Sequence, residues 1–285
     1  MLKQWVRDLP RPLKDQLHVL RDGYHQTTAK WRTLPDFIII GAMKSGTSSL
    51  FHYLTQHPGI KASATKEIHF FDWQYNKGET WYRAFFPYEG RRRGDFLTGE
   101  ATPYYLFCPH TPQRIHTLIP HVKLIALLRN PTERAISHYF HSVRVGREKL
   151  PLLEALQAEE ERIEEAWNAI QHSMSSNSSP LTWFTYKRRG LYIEQLQRYW
   201  RYFGREQILV ESSEAFFQDP NATLSRVFDF LGVENRPHIA DLSRKNKGHN
   251  RQDVPNAVYE YLDRYFQPHN TQLAEALQQE MGWGE

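Results

Sequence analysis

Asp36-Phe37-Ile38-Ile39-Ile40-Gly41-Ala42-Met43-Lys44-Ser45-Gly46-Thr47-Ser48-Ser49-Leu50 is the stretch on which the fold turns. Four apolar residues in a row, Phe37 to Ile40, run into a glycine loop, and after Gly46 the apolar spacing becomes helical, with Leu50, Phe51 and Leu54 on one face. A continuous apolar run marks a strand buried on both sides, and a helix that opens on a glycine loop offers an anion its first amides and positive dipole end. The stretch therefore predicts strand, phosphate loop and helix, with the amides of Ser45, Gly46, Thr47 and Ser48 cradling an anion. An ordinary strand-to-helix turn, with glycines for shape, is the competing reading. The Gly41 to Gly46 spacing is that of a nucleoside-triphosphate loop, yet Thr47 stands where its lysine belongs, and Lys44 lies inside the loop instead.

Working outward, the same unit recurs. Val122 to Leu128 reads as a second buried strand, ending in Arg129-Asn130-Pro131. Asn130 suits an N-cap, Pro131 the first helical position and Glu133 a capping-box partner, which predicts a helix through Ser142. A triphosphatase needs an aspartate at such a strand end to organise magnesium; Arg129 instead offers a planar fork of donors to a phosphate. Ser137 follows seven residues after Asn130, roughly 10 Å along a helix. Gln207 to Val210 is a third apolar strand, Asp219-Pro220 opens a helix that Gly232 closes, and Tyr192, Leu196, Tyr199 and Phe203 form a core-facing helical stripe. Alternating strands and helices predict a three-layer α/β/α, P-loop-like domain around a central parallel sheet, spanning 36–285 behind a helical preface at 1–35. Three further readings are local: an extended segment in which Glu67, His69 and Phe71 share one side, one charged helix from Glu148 to Gln171, and a loop from Ser173 to Pro180.

Lysine and arginine number 36 against 32 acidic residues, and clusters at Arg91-Arg92-Arg93, Lys187-Arg188-Arg189 and Arg244-Lys245-Asn246-Lys247 concentrate the excess, which suits an anionic ligand. The single cysteine, Cys108, excludes an internal disulfide and a cysteine metal site, and no apolar run reaches the ~20 residues of a membrane span. A cytoplasmic protein is the expectation. His138 and His141 stand three apart on a helix without an indicated third ligand, so no metal is expected there. Oligomeric state has no signature in the sequence.

Four ordered motifs now resemble one family. Gly41-x-x-Lys44-Ser45-Gly46-Thr47, Lys66-Glu67-Ile68-His69-Phe70-Phe71-Asp72, Arg129-Asn130-Pro131-Thr132-Glu133-Arg134-Ala135-Ile136-Ser137 and Arg189-Gly190-Leu191-Tyr192 resemble sulfotransferases that use 3′-phosphoadenosine 5′-phosphosulfate (PAPS), most nearly the heparan sulfate group. The resemblance implies that Lys44, Ser45, Gly46, Thr47 and Ser48 hold the 5′-phosphosulfate, that Arg129 and Ser137 hold the 3′-phosphate, and that Tyr192 belongs to the nucleotide site. It implies Glu67 as general base with His69 beside it, Lys44 at the leaving oxygen, and Lys247-Gly248-His249-Asn250-Arg251 as the loop covering the nucleotide, with PAP as product and no metal required. The implied acceptor is a carbohydrate or small hydroxylated molecule, attacked through a hydroxyl or amine, and not a nucleic acid. The pattern departs at His249, where a different basic residue is expected, and at Ala101, where relatives often carry a substrate-touching lysine. The residues alone leave Glu67 a second reading, a surface carboxylate paired with Lys66. They also leave the whole chain two others, a P-loop kinase or NTPase and a non-catalytic polyanion-binding protein.

Overall fold

The computed structural model describes Gly23 and residues 27–89, 96–172, 179–234, 239–245 and 254–283. Five strands, β1 (Phe37–Gly41), β2 (Ile60–Ala62), β3 (Leu97–Ala101), β4 (Lys123–Leu128) and β5 (Ile208–Ser212), form one parallel sheet in the order β2-β3-β1-β4-β5. Parallel neighbours need crossover helices, which cover both faces and so require strands apolar on both sides. β1 meets that demand, with every residue from Phe37 to Gly41 buried.

Alternation along β1 and β4 divides the core into two layers. Ile38, Ile40, Leu124, Ala126 and Leu128 pack with Tyr192, Leu196 and Tyr199 of α8 (Tyr192–Trp200), Phe203 beyond it, and Leu273 of α11 (Asn256–Leu277). Phe37, Ile39, Ile125 and Leu127 pack on the opposite side with Leu50 and Leu54 of α1 (Thr47–Leu54) and with Leu224, Val227, Phe228 and Leu231 of α10 (Pro220–Leu231). Each such side chain contributes roughly 1.5–3 kcal/mol by leaving water, so the two faces together hold the three layers as expected. The other helices are α2 (Gly78–Arg83), α3 (Thr111–Leu118), α4 (Pro131–Arg144), α5 (Leu152–Gln157), α6 (Glu159–His172), α7 (Ser179–Trp183) and α9 (Ser213–Gln218).

Several local expectations need correction. Residues 148–171 are not one helix: Pro151 precedes α5, and a break at Ala158 separates it from α6. Two members of that charged run are buried: Glu148 accepts from Arg162 and from the Tyr186 hydroxyl, and Glu159 accepts the backbone N–H groups of Lys187 and Arg188. Burial raises the Glu159 carboxyl to about 7 against those two hydrogen bonds. The segment around Glu67 is a left-handed, irregular turn, not extended backbone, with φ 58° at Glu67 and 55° at His69. Most of the helical preface, residues 173–178 of the serine-rich loop, and 246–253 with Lys247, Gly248, His249, Asn250 and Arg251 lie outside the described residues.

The chain leaves β1 toward β3 and β2 but leaves β4 toward β5, so the strand order reverses between β1 and β4. Loops diverge there and open a crevice at the carboxyl ends of the strands, the usual ligand position in such sheets.

Candidate active site

The loop after β1 closes this crevice from one side. Ala42 N–H donates to Leu127 O of β4 at 2.8 Å, and Ser45 N–H donates back to Ala42 O at 3.3 Å. Lys44 adopts φ 70° and Gly46 φ 96° to turn the chain into α1, whose first amides point out of the helix end. Gly46 has no room for a side chain, since a Cβ there would lie 2.6 Å from the Phe217 ring. Gly46→Ala is expected to cost about 1–3 kcal/mol, from the left-handed backbone and the clash together, measured as a lower thermal midpoint. Ser45 is fully buried, and its Oγ finds no hydrogen-bond partner among the described residues. A buried hydroxyl without a partner costs free energy, and here it lies in the turn that feeds the amides.

Arg129, at the end of β4, faces the loop. Its Nη1 donates to Lys44 O at 3.2 Å and its Nη2 pairs with Glu133 at 3.1 Å. Half of the expected capping box forms: Asn130 Oδ1 accepts Glu133 N–H, but the Glu133 carboxylate turns to Arg129. Asn130 N–H donates instead to Glu214 of α9, whose other oxygen takes the Trp283 indole N–H. Tyr192 does not face the crevice openly; it is buried, and its hydroxyl donates to Arg129 O at 2.9 Å. The turn carrying Arg129 is thus held from α8, α9 and the C-terminal end. Ser137 is half-buried on α4, about 10 Å of helix rise beyond Asn130.

One face of α4 supplies more positive charge. Arg134, fully buried, donates to Tyr186 O, while its Nε and Nη1 have no partner among the described residues. Burial first, then the charges of Arg144, Arg129 and Arg134, lowers Lys44 to about 8. His141 is pushed down to about 4 by burial and by Lys44, Arg144 and Arg147, with Glu67 acting in the opposite sense. His138, also buried, is held well below the usual histidine range by burial and by Arg189 and Arg134. Cations thus crowd together at the N-terminus of α1.

Glu67 enters from the β3 side. Its N–H donates to Ala101 O at 3.0 Å, Lys66 Nζ lies 2.6 Å from Oε1, and His69 Nε2 lies 3.9 Å from Oε2. The side chain is 47% exposed. The Lys66 pairing considered for Glu67 does occur, but on one oxygen only, and the other is turned to the imidazole. His69 Nδ1 contacts Asp72 Oδ2 at 2.8 Å, and the ring stacks on Trp73 at 3.7 Å. A carboxylate only accepts, so Nδ1 carries a proton and the orientation of Nε2 toward Glu67 is fixed.

Lys44, Arg129 and the loop serines are therefore brought together, and Glu67 with His69 stands across from them, linked through the field at His141. Reasoning from sequence missed Asp72, Arg134, His141 and Arg144. A signal existed for the last three: 134, 141 and 144 fall at helical spacing on one face of α4.

Comparison with known proteins gives the family. A profile of the sulfotransferase domain matches residues 34–270. Heparan sulfate glucosamine 3-O-sulfotransferase 6 of Homo sapiens is 31% identical over 89% of this chain and 75% of its own. Heparan sulfate glucosamine 3-O-sulfotransferase 3B1 of the same species is 30% identical over 88% of this chain and 65% of its own. A crystal structure of a sulfotransferase from Alicyclobacillus acidocaldarius superposes with a TM-score of 0.72 and 33% identity, covering 89% of this chain and all of that one. With the profile spanning most of the chain, and the fold and cation-rich crevice in place, this protein belongs to the sulfotransferase family.

Proposed function

We propose that the chain transfers the sulfuryl group of PAPS to a hydroxyl or amine of an acceptor, and that the acceptor is a carbohydrate. The observation that carries this reading is the crowding of Lys44 by Arg129, Arg134 and Arg144 at the N-terminus of α1, which a multiply charged donor would relieve. In this reading Lys44 and the amides of Ser45 to Ser48 hold the 5′-phosphosulfate, Arg129 and Ser137 take the 3′-phosphate, and Tyr192 fixes the Arg129 backbone. Lys247 to Arg251 cover the nucleotide in this reading; Lys245 N–H, two residues before them, donates to Ser49 Oγ of α1 at 2.9 Å.

Glu67 accepts the proton of the acceptor hydroxyl as its oxygen attacks sulfur from the cleft side. The new S–O bond forms as the bond from sulfur to the 5′-phosphate oxygen breaks, and Lys44 neutralises the charge left on that oxygen. His69, contacted by Asp72 at Nδ1, stands with Nε2 3.9 Å from the second Glu67 oxygen. A carbohydrate acceptor is supported by the named substrates of the relatives. Trp73, stacked on His69 beside Glu67, and Arg147, 5.0 Å above the Trp183 ring, are surfaces suited to sugar rings and anionic substituents.

Incubation with PAPS labelled in the sulfuryl group, against a panel of glycans and small hydroxylated compounds, tests the proposal. Labelled glycan together with released PAP is the expected product; PAP binding with no labelled acceptor of any kind would favour an anion-binding role and overturn the enzyme reading.

A further inference from the structure

Beneath Glu67 lies a second carboxylate that the transfer reaction does not use. Glu100, the fourth residue of β3, is fully buried, and its oxygens accept from the Tyr82 hydroxyl at 2.6 Å, the Thr102 hydroxyl at 2.7 Å and the Tyr105 hydroxyl at 3.3 Å. Burying a carboxylate is costly, and three hydroxyl donors offset that cost only in part. Burial raises the Glu100 carboxyl to about 7, the hydroxyls oppose the rise, and nearby Asp72 adds to it.

What this group organises is visible from Tyr105. Its hydroxyl accepts two backbone N–H groups, Phe70 at 2.8 Å and Phe71 at 3.3 Å. A phenol has one proton, and with that proton given to Glu100 its lone pairs are left for the two amides. Ala101, the next residue of β3, accepts Glu67 N–H. The end of β3 therefore grips the base-bearing turn at both ends, directly at Glu67 and through Tyr105 at Phe70 and Phe71. Between the grips lie Glu67 and His69, both non-glycine residues in left-handed backbone. That conformation costs about 1–2 kcal/mol per residue, so the turn keeps it only while the surroundings impose it.

We infer that Glu100 is a positioning residue for Glu67, acting through the Tyr105 hydroxyl to hold the turn that carries the base. The inference rests on the base assignment proposed above, and two variants test it. Glu100→Gln removes the charge and one acceptor, and Tyr105→Phe removes the link while leaving Glu100 in place. Amide hydrogen exchange in 67–73 is expected to accelerate about tenfold or more in both variants, with 123–128 of β4 unchanged. Turnover is expected to fall about tenfold while PAP affinity holds, and the double variant to be no slower than the slower single one, because both cut the same support.

Unchanged exchange in 67–73 in Tyr105→Phe would overturn the inference, as would faster exchange with unaltered turnover or additive losses in the double variant. A wild-type chain that moves no sulfuryl group would instead overturn the proposed function, and the exchange measurement would still decide whether Glu100 holds the turn.

Discussion

Glu67→Gln is expected to lower turnover by about 10²- to 10⁴-fold, the range for loss of a positioned general base, with PAP affinity nearly unchanged. The amide keeps the size of the carboxylate and one acceptor oxygen but cannot take the acceptor proton. In the proposed site the donor cradle lies on the β1 and β4 side and Glu67 on the β3 side, so binding and chemistry are expected to separate in this variant. Equilibrium titration with PAP and single-turnover transfer measure the two halves. Turnover within about twofold of wild type would make Glu67 the surface partner of Lys66 and nothing more, since such exposed pairs contribute only about 0–1 kcal/mol.

Lys44→Met is the second large effect. In the proposed mechanism Lys44 faces the leaving oxygen, and removing it is expected to cost about 10²- to 10³-fold in turnover, comparable to losing an oxyanion donor, and to weaken PAP binding as well. The wild-type lysine adds a pH signature. In the free protein Lys44 is lowered to about 8 by burial and by Arg144, Arg129 and Arg134, so it is an ammonium below that pH and increasingly an amine above it. A bound dianion favours the ammonium and raises the pKa again. PAP affinity is therefore expected to be flat from about pH 7 to 8, where the phosphates are dianionic and Lys44 is charged, and to fall by up to about tenfold per unit above it, with one proton taken up on binding there. Calorimetry in buffers of different ionisation enthalpy reads that proton, and Lys44→Met abolishes both the slope and the uptake. A wild-type affinity that stays flat to pH 10 would remove Lys44 from the cradle.

Both effects depend on groups that the sequence exposes to very different degrees. Ile38 to Ile40, Leu124 to Leu128 and the stripe Tyr192, Leu196, Tyr199 and Phe203 carry their burial in their spacing, because alternation and the 3.6-residue period are local properties of the chain. Asn130 as N-cap and Gly232 as a left-handed C-cap are legible for the same reason. The turn at Glu67 is not. Its residues alternate like a strand, and only hydrogen bonds from Ala101 and Tyr105 force two left-handed residues into it. The charged run after Glu148 misleads likewise, since Glu159 is paid for by amides near position 188, far away in sequence.

By itself the sequence determined three of the five strands, β1, β4 and β5, the glycine loop with its displaced lysine, and the arginine at the end of β4, all fixed by short-range patterning and covalent reach. Only the tertiary structure decided that Arg129 touches Lys44 O, that α4 crowds Lys44 with further cations, and that the buried Glu100 stands behind Glu67. Charge proximity and hydrogen-bond direction arise where strands adjacent in the sheet are distant in the chain, and no local pattern records them.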